Sequence, residues 1–254
     1  MCLLVFSFRA DASLVLVANR DESYDRPTAA LDFWADDPEI LAGRDLRGGG
    51  TWLAFHRSGR VAALTNFRHG AVVKTGTSRG EIPLDFVRSR ETPEAFLNAL
   101  TRRAGRYSGF SLVAGVSGRF FYFSNLDNAV RPLRPGCHGL SNHLIDTPWP
   151  KVVRAKAALE AALAKGRPEA EPLCDLLLDR SVPPDAELPD TGVGLTLERT
   201  LAASFIVTPD YGTRSTTALV IDASGAIEMY EKNYGRGGQP LHAGGHRFRE
   251  QRTA

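Results

Sequence analysis

Along this 254-residue chain, apolar residues gather into short β-rich runs that come in pairs. "CLLVFSF" and "SLVLVAN" are separated by "RADA", a polar turn. "TWLAFH" and "RVAALTN" flank "RSG", "FSLVAGV" and "RFFYFSN" flank "SG", and "TTALVID" and "AIEMYEK" flank "ASG". Ser-Gly supplies the positive-φ residue that a tight hairpin needs. "SFIVT" is expected to join "TTALVID" through the loop "PDYGTRS". Nothing alternates strand and helix as a doubly wound sheet does, so the pattern predicts antiparallel hairpins. The first two strands lack clean alternation, which predicts cover on both faces.

Helices fall between the hairpins. Thr92 and Pro93 form an N-cap and N1 pair for "PEAFLNALTRR". "WPKVVRAKAALEAALAKG" has Pro150 at its start, apolar residues at helical spacing and Gly166 to end it. "EPLCDLLLDR" predicts a shorter helix with Cys174 on its leucine-rich, core-facing side. The long Pro/Gly/Asp stretch "SVPPDAELPDTGVG" has the character of a lid or binding loop. The expected architecture is α+β, with helices outside two stacked antiparallel sheets. One domain is expected over residues 1–235, with a mobile tail rich in Gly, His and Arg over 236–254.

Composition narrows the function classes. A hydrophobic content of 43% fills a core. No run approaches the roughly 20 apolar residues of a membrane span, and the apolar start is too short for a signal peptide, so a cytoplasmic location is expected. Cys2, Cys137 and Cys174 are odd in number and widely spaced, which suits neither a disulfide framework nor a zinc site. A net charge of +2 argues against a nucleic-acid partner. The glycines of "RGGGTW" predict a tight turn, since no lysine and Ser/Thr follow to make a phosphate loop.

The candidate chemistry starts at the second residue. If Met1 is removed, Cys2 carries a free α-amine, with pKa about 7.7–8.0, beside a thiol of about 8.5. Such an amine is a competent general base for its own thiol. Centring the first hairpin between Ala10 and Asp11 sets Phe8 opposite Ser13 and Cys2 opposite Asn19. "NRDE" (Asn19, Arg20, Asp21, Glu22) then ends the strand beside the thiol. Arg20 would favour the thiolate, and Asp21 would orient the ammonium or the arginine. Asn19 and Trp52 are candidate substrate contacts. The competing reading is a buried Cys2 with an Arg20–Asp21 ion pair tying down a turn. Centring the second hairpin on Ser58 and Gly59 sets Thr51 opposite Asn66, so "TNFR" ends its strand as "NRDE" ends the first. Asn66 and Asn142 are amides able to donate to an oxyanion, and Arg214 could anchor a carboxylate or support the nucleophile.

"MCLLVF", "VANRDE", "TNFR", "GLSN…DTPWPKV" and "TPDYGTRSTTALVID" together resemble the NRDE family, the transport-and-Golgi-organisation type of protein, from Cys2 to about Tyr234. That family is similar to the N-terminal nucleophile (Ntn) hydrolases, whose fold is a four-layer αββα sandwich. By this resemblance Cys2 would be nucleophile and base in an amidohydrolase or acyltransferase working through an acyl-cysteine. Arg20 and Asp21 would position it, Asn66 and Asn142 would serve the oxyanion and the substrate, and Arg214 would lie close to the thiol. In the cysteine acylases the arginine and aspartate are separated, whereas here they are adjacent. Glu22 has no acylase counterpart and is expected to be a surface or turn carboxylate.

The expected partner is a small amide or acyl thioester, with no cofactor and no metal, and an oligomer remains open. The alternative is a non-catalytic carrier of an apolar metabolite, haem or acyl-CoA, in the same cleft, with the Cys137-His138 pair offering an axial ligand. A scaffold role in membrane organisation is a third reading, for which the sequence carries neither a lipidation signal nor a basic amphipathic helix.

Overall fold

The structure is a computed structural model that describes residues 2–69 and 76–249, with Cys2 described by its backbone alone. The strands are β1 (Cys2–Phe8), β2 (Leu14–Ser23), β3 (Thr28–Trp34), β4 (Asp37–Asp45), β5 (Leu53–His56), β6 (Arg60–Asn66), β7 (Phe110–Val116), β8 (Arg119–Ser124), β9 (Ala129–Pro132), β10 (Gly136–Leu140), β11 (Tyr211–Ile221), β12 (Ala226–Tyr234) and β13 (Pro240–Arg249). The helices are α1 (Glu81–Arg88), α2 (Pro93–Thr101), α3 (Pro150–Leu163), α4 (Ala170–Leu173) and α5 (Leu195–Leu201). One sheet has the order β10-β1-β2-β11-β12-β13 and the other β3-β4-β5-β6-β7-β8-β9. Every strand pair is antiparallel.

The side-chain period of a strand explains the layering. In β1, Leu4, Phe6 and Phe8 face the second sheet and meet Trp52, Phe55 and Phe120 there. Leu3 and Val5 face the other way, onto Val152, Leu159 and Cys174 of the outer helical layer. The seven-stranded sheet is covered on its own outer face by α1 and α2 through Phe86, Phe96 and Leu97. The result is the four-layer αββα sandwich, and β1 is apolar from Leu3 to Phe6 because both its faces are covered. Each fully buried Leu or Phe in these layers contributes about 1.5–3 kcal/mol.

Local signals work as the sequence implies. Thr92 accepts the Ala95 N–H at 3.2 Å with Pro93 behind it. Ser117 and Gly118 both take positive φ, 50° and 73°, in the two-residue turn between β7 and β8. Cys174 is fully buried.

Several expectations are corrected. The first hairpin pairs Phe8 with Leu14 and Cys2 with Arg20, one residue from the expected register. Ala12 takes φ 68° and Asp11 accepts from the Ser13 N–H, which lengthens the turn by one residue. The second hairpin slips likewise: Leu53 pairs with Ala63 and Phe55 with Val61, so Asn66 does not face Thr51. "PDYGTRS" is mostly strand, because β11 begins at Tyr211, while "SFIVT" contributes only the bridge from Val207 to Gly212. "EPLCDLLLDR" shortens to α4 plus a 3-10 turn over Cys174–Leu177. The expected mobile tail over 236–254 contains β13 instead, paired with β12 from Ala226–Arg249 to Tyr234–Pro240. Phe248 anchors that strand against the Phe33 and Phe55 rings, at 5.4 and 5.7 Å. Among the described residues, no helix is long and apolar enough to cross a membrane.

Candidate functional site

The end of β2 carries two buried charges that face opposite layers. Arg20 reaches the second sheet, where Nη1 donates to Thr28 Oγ1 at 3.0 Å. Its guanidinium lies 4.4 Å from the centre of the Trp52 ring. That ring is set against β4 because residue 43 is glycine, where a Cβ would meet Trp52 Cη2 at 2.6 Å. Asp21 points the other way and accepts from Thr213 Oγ1 at 2.7 Å. A bulge in β11 makes this possible: Thr213 pairs with Asp21 and Ser215 with Arg20, leaving Arg214 as the extra residue. Burial pushes the Asp21 carboxyl above the ordinary carboxylate range, against the opposing fields of Lys151 and Arg68.

Cys2 enters this geometry through its backbone, as the Cα partner of Arg20. Met1 and the Cys2 side chain lie outside the described residues.

Behind Asp21 is a buried ionic cluster. Arg68 Nη1 donates to Glu198 Oε2 at 2.7 Å, with both side chains under 5% exposed. Glu198 Oε1 also accepts from the Thr191 N–H at 2.8 Å, tying the long loop down. Arg68 Nη2 and Lys151 Nζ both donate to the Leu201 carbonyl, at 3.3 and 2.9 Å. That carbonyl ends α5, where the helix dipole favours cations. Asn142 fixes the strand end beside this cluster: its Nδ2 donates to the Asn66 carbonyl at 2.8 Å and its own carbonyl accepts the Arg68 N–H at 2.8 Å.

Arg20, Asp21, Trp52 and Asn66 share one cavity of about 410 Å³. Its wall is completed by Arg26, paired with Asp45 at 2.6 Å, and by Arg79, whose Nη1 donates to the Gly109 carbonyl at 2.9 Å. Residue 50 must be glycine here, because a Cβ would lie 2.4 Å from the Gly80 carbonyl carbon, and this contact brings the start of α1 to the cavity. Glu22 lines the cavity too, where a plain surface carboxylate was expected; its Oε1 accepts the Ser23 N–H at 2.9 Å.

Three expected site residues stand elsewhere. Asn142 is behind Asn66 and acts on the cavity through the Asn66 backbone. Asn19, expected to touch substrate, faces the helical layer, where Nδ2 donates to the Leu177 and Ser204 carbonyls and Oδ1 accepts from Thr216. Those bonds use both of its N–H donors. Arg214 clamps a turn, with Nη1 donating to the Ser23, Tyr24 and Arg26 carbonyls at 2.8, 3.1 and 3.2 Å. It orders the strand end that carries Asp21 and does not line the cavity.

Arg68, Lys151, Glu198 and Thr213 escaped the sequence reading. Arg68 ends "TNFR", so its motif was visible while its partner 130 residues away was not. Lys151 follows the helix-starting Pro150, where a buried ammonium has no sequence signature. The Cys137-His138 pair belongs to β10. The His138 ring nitrogens meet Asp146 Oδ2 and the Arg134 carbonyl, each at 2.8 Å. Burial pushes the Cys137 thiol up to about 11.

Relatives match nearly end to end. The Transport and Golgi organization protein 2 homolog of Bos taurus is 33% identical over 92% of this chain and 93% of its own. The Homo sapiens homolog is 32% identical over the same shares, and the Drosophila melanogaster protein is 28% identical over 91% and 92%. Solved structures of similar fold are more distant. A Caenorhabditis elegans ortholog of N-acylethanolamine-hydrolyzing acid amidase gives a TM-score of 0.45 at 11% identity, covering 86% of this chain and 92% of that one. A conjugated bile acid hydrolase from Clostridium perfringens gives 0.47 at 10% identity, covering 98% and 92%. With its residues 1–236 matching the family described as Transport and Golgi organisation 2, the chain belongs to that family.

Proposed function

We propose that this protein is an N-terminal-cysteine amidohydrolase or acyltransferase acting on a small amide or acyl thioester. The observation that carries the reading is the pairing of Cys2 with Arg20 at the end of β1, beside a cavity that Arg20, Asp21, Trp52 and Asn66 share. With Met1 removed, the α-amine of Cys2 takes the thiol proton, and the thiolate attacks the substrate carbonyl carbon. The Asn66 amide donates to the oxygen as it becomes negative. Collapse of the tetrahedral adduct breaks the C–N or C–S bond, and the leaving group receives the proton from the α-ammonium. Water, or a second acceptor, then releases the acyl group from sulfur.

The neighbouring residues have defined parts in this scheme. Asp21 is placed to orient the ammonium. Arg20 raises the thiolate fraction by its charge, and the Trp52 ring holds the guanidinium in place by a cation–π contact.

A panel of N-acyl amides and acyl thioesters, assayed with untagged protein and with protein carrying a residue fused ahead of Cys2, tests the proposal. Turnover is expected only with the free N-terminus. Equal turnover by the blocked protein rejects the mechanism, and no turnover by either favours a carrier in the same cavity.

A further inference from the structure

Strand β6 runs from Arg60 to Asn66, so its two ends stand roughly 20 Å apart at about 3.3 Å per residue. Only the Asn66 end belongs to the cavity described above. At the other end, Arg60 lies beneath the carboxyl end of α1. Its Nε donates to the Phe86 carbonyl at 3.0 Å, and its guanidinium covers the Phe86 ring at 4.1 Å.

These contacts do not neutralise it. Arg60 is only 7% exposed, yet it enters no carboxylate pair among the described residues, and its Nη2 is buried without an acceptor. A buried charge left in this way is costly. Burial lowers the Arg60 pKa, against the field of Glu91.

Beside Arg60 opens a groove of about 600 Å³, where Arg57, Arg88 and Arg90 join it against one acidic residue, Glu39. Arg57 is laid over the Phe33 ring at 4.0 Å, and Arg88 is held by Asp37 at 2.8 Å. Arg90 is exposed. Ser58 and His56 close the rim, hydrogen-bonded to each other at 2.8 Å. The groove therefore presents four guanidiniums to three nearby carboxylates, Glu39, Asp37 and Glu91, with a desolvated guanidinium in its wall.

We propose that this groove is a second binding site, separate from the Arg20–Asn66 cavity, that takes a small molecule by an oxyanion group, a phosphate or a carboxylate. Guanidinium forks suit both groups, because two N–H donors meet two oxygens. The ligand charge would compensate Arg60, which forms no ion pair among the described residues and has only the field of Glu91 acting on it. Small size is set by the groove volume and by the absence of any extended basic run around it.

Calorimetric titration of the full chain with inorganic phosphate, and separately with acetate, at fixed ionic strength and pH 7 reads the site. Saturable binding at one site is expected, weakened at least about tenfold in Arg60→Met. Because that change also removes the bond to the α1 carbonyl, Arg90→Glu provides a variant at an exposed position. It should weaken binding by about tenfold while leaving the unfolding midpoint in place. Tighter phosphate than acetate binding assigns a phosphorylated ligand, and the reverse a carboxylated one; either supports the site. No saturable binding of either anion, or unchanged affinity in the folded variants, overturns it.

Discussion

Arg20 and Asp21 are neighbours in the chain, yet the protein treats their charges in different ways. Arg20 sits between the sheets, stacked on Trp52 and hydrogen-bonded to Thr28. Asp21 sits under the helical layer, within the fields of Lys151 and Arg68 and bonded to Thr213. Strand alternation alone produces this division. It means that a single dipeptide supplies a cation from one layer and a carboxylate from another to the same cavity. The two do not pair with each other to tie down a turn: Arg20 bonds to Thr28 and stacks on Trp52 between the sheets, and Asp21 bonds to Thr213 under the helical layer.

The comparison breaks most sharply at Asp21. Asp21→Asn removes the carboxylate that orients the ammonium, and turnover should fall by about 10²-fold or more. Stability should move the other way. The folded pKa of Asp21 is raised, so the folded state holds its proton more tightly than the unfolded chain, and its contribution is fully present below the unfolded value and lost as pH rises through the folded one. Urea unfolding at pH 8 should therefore show Asp21→Asn at least as stable as the parent. Unchanged turnover in that variant would remove Asp21 from the mechanism.

A second break separates the ionic cluster from the cavity. Arg68→Met leaves Glu198 buried and unpaired, which should cost about 3–5 kcal/mol in urea unfolding. Adding Glu198→Leu should recover most of it. A loss below about 1 kcal/mol would mean that water reaches Glu198 in solution.

The smallest effect calibrates the others at a place remote from the cavity. Burial opposes ionisation of Asp146, but the His138 ring and the Lys156 ammonium pull its pKa down to about 2. A depressed carboxylate contributes stability above its unfolded pKa and loses it as pH falls through about 2. Asp146 is 36% exposed, so solvent screening reduces the contribution to about 1 kcal/mol. Asp146→Asn should lose that much at pH 7 and almost nothing near pH 2, with turnover unchanged. A loss that persists at low pH would point to altered packing of β10.

Much of the architecture was legible because hairpin turns carry their own signals. Ser117-Gly118 and Thr92-Pro93 are local, and the fold uses them as written. Register was not legible to the residue. The turn after β1 depends on Ala12 adopting positive φ, which its side chain does not advertise. Strands β3 and β4 and helix α1 also lacked warning: Gly80 caps α1 without a side-chain bond. In β13, the run of Gly, His and Arg masked Phe248 and His246, whose rings dock the strand on Phe33.

At the site, Arg20, Asp21, Trp52 and Asn66, all singled out from the sequence, line one cavity. The motifs misplaced Asn19, which pairs with Leu3 rather than Cys2 and whose amide is taken by the Leu177 and Ser204 carbonyls. Arg68, Lys151 and Glu198 were out of reach for another reason. Their association depends on the end of α5 meeting Lys151 of α3 and Arg68 beyond β6, and contacts between distant segments leave no trace in local spacing.

The measurement that tests the central claim most directly is intact mass with peptide mapping of untagged protein after exposure to acyl thioesters and N-acyl amides. The mechanism predicts loss of Met1 and a saturable acyl adduct on Cys2, absent in a folded Cys2→Ala variant. Retained Met1, or a free Cys2 that gains no adduct while the substrates stay intact, would contradict it.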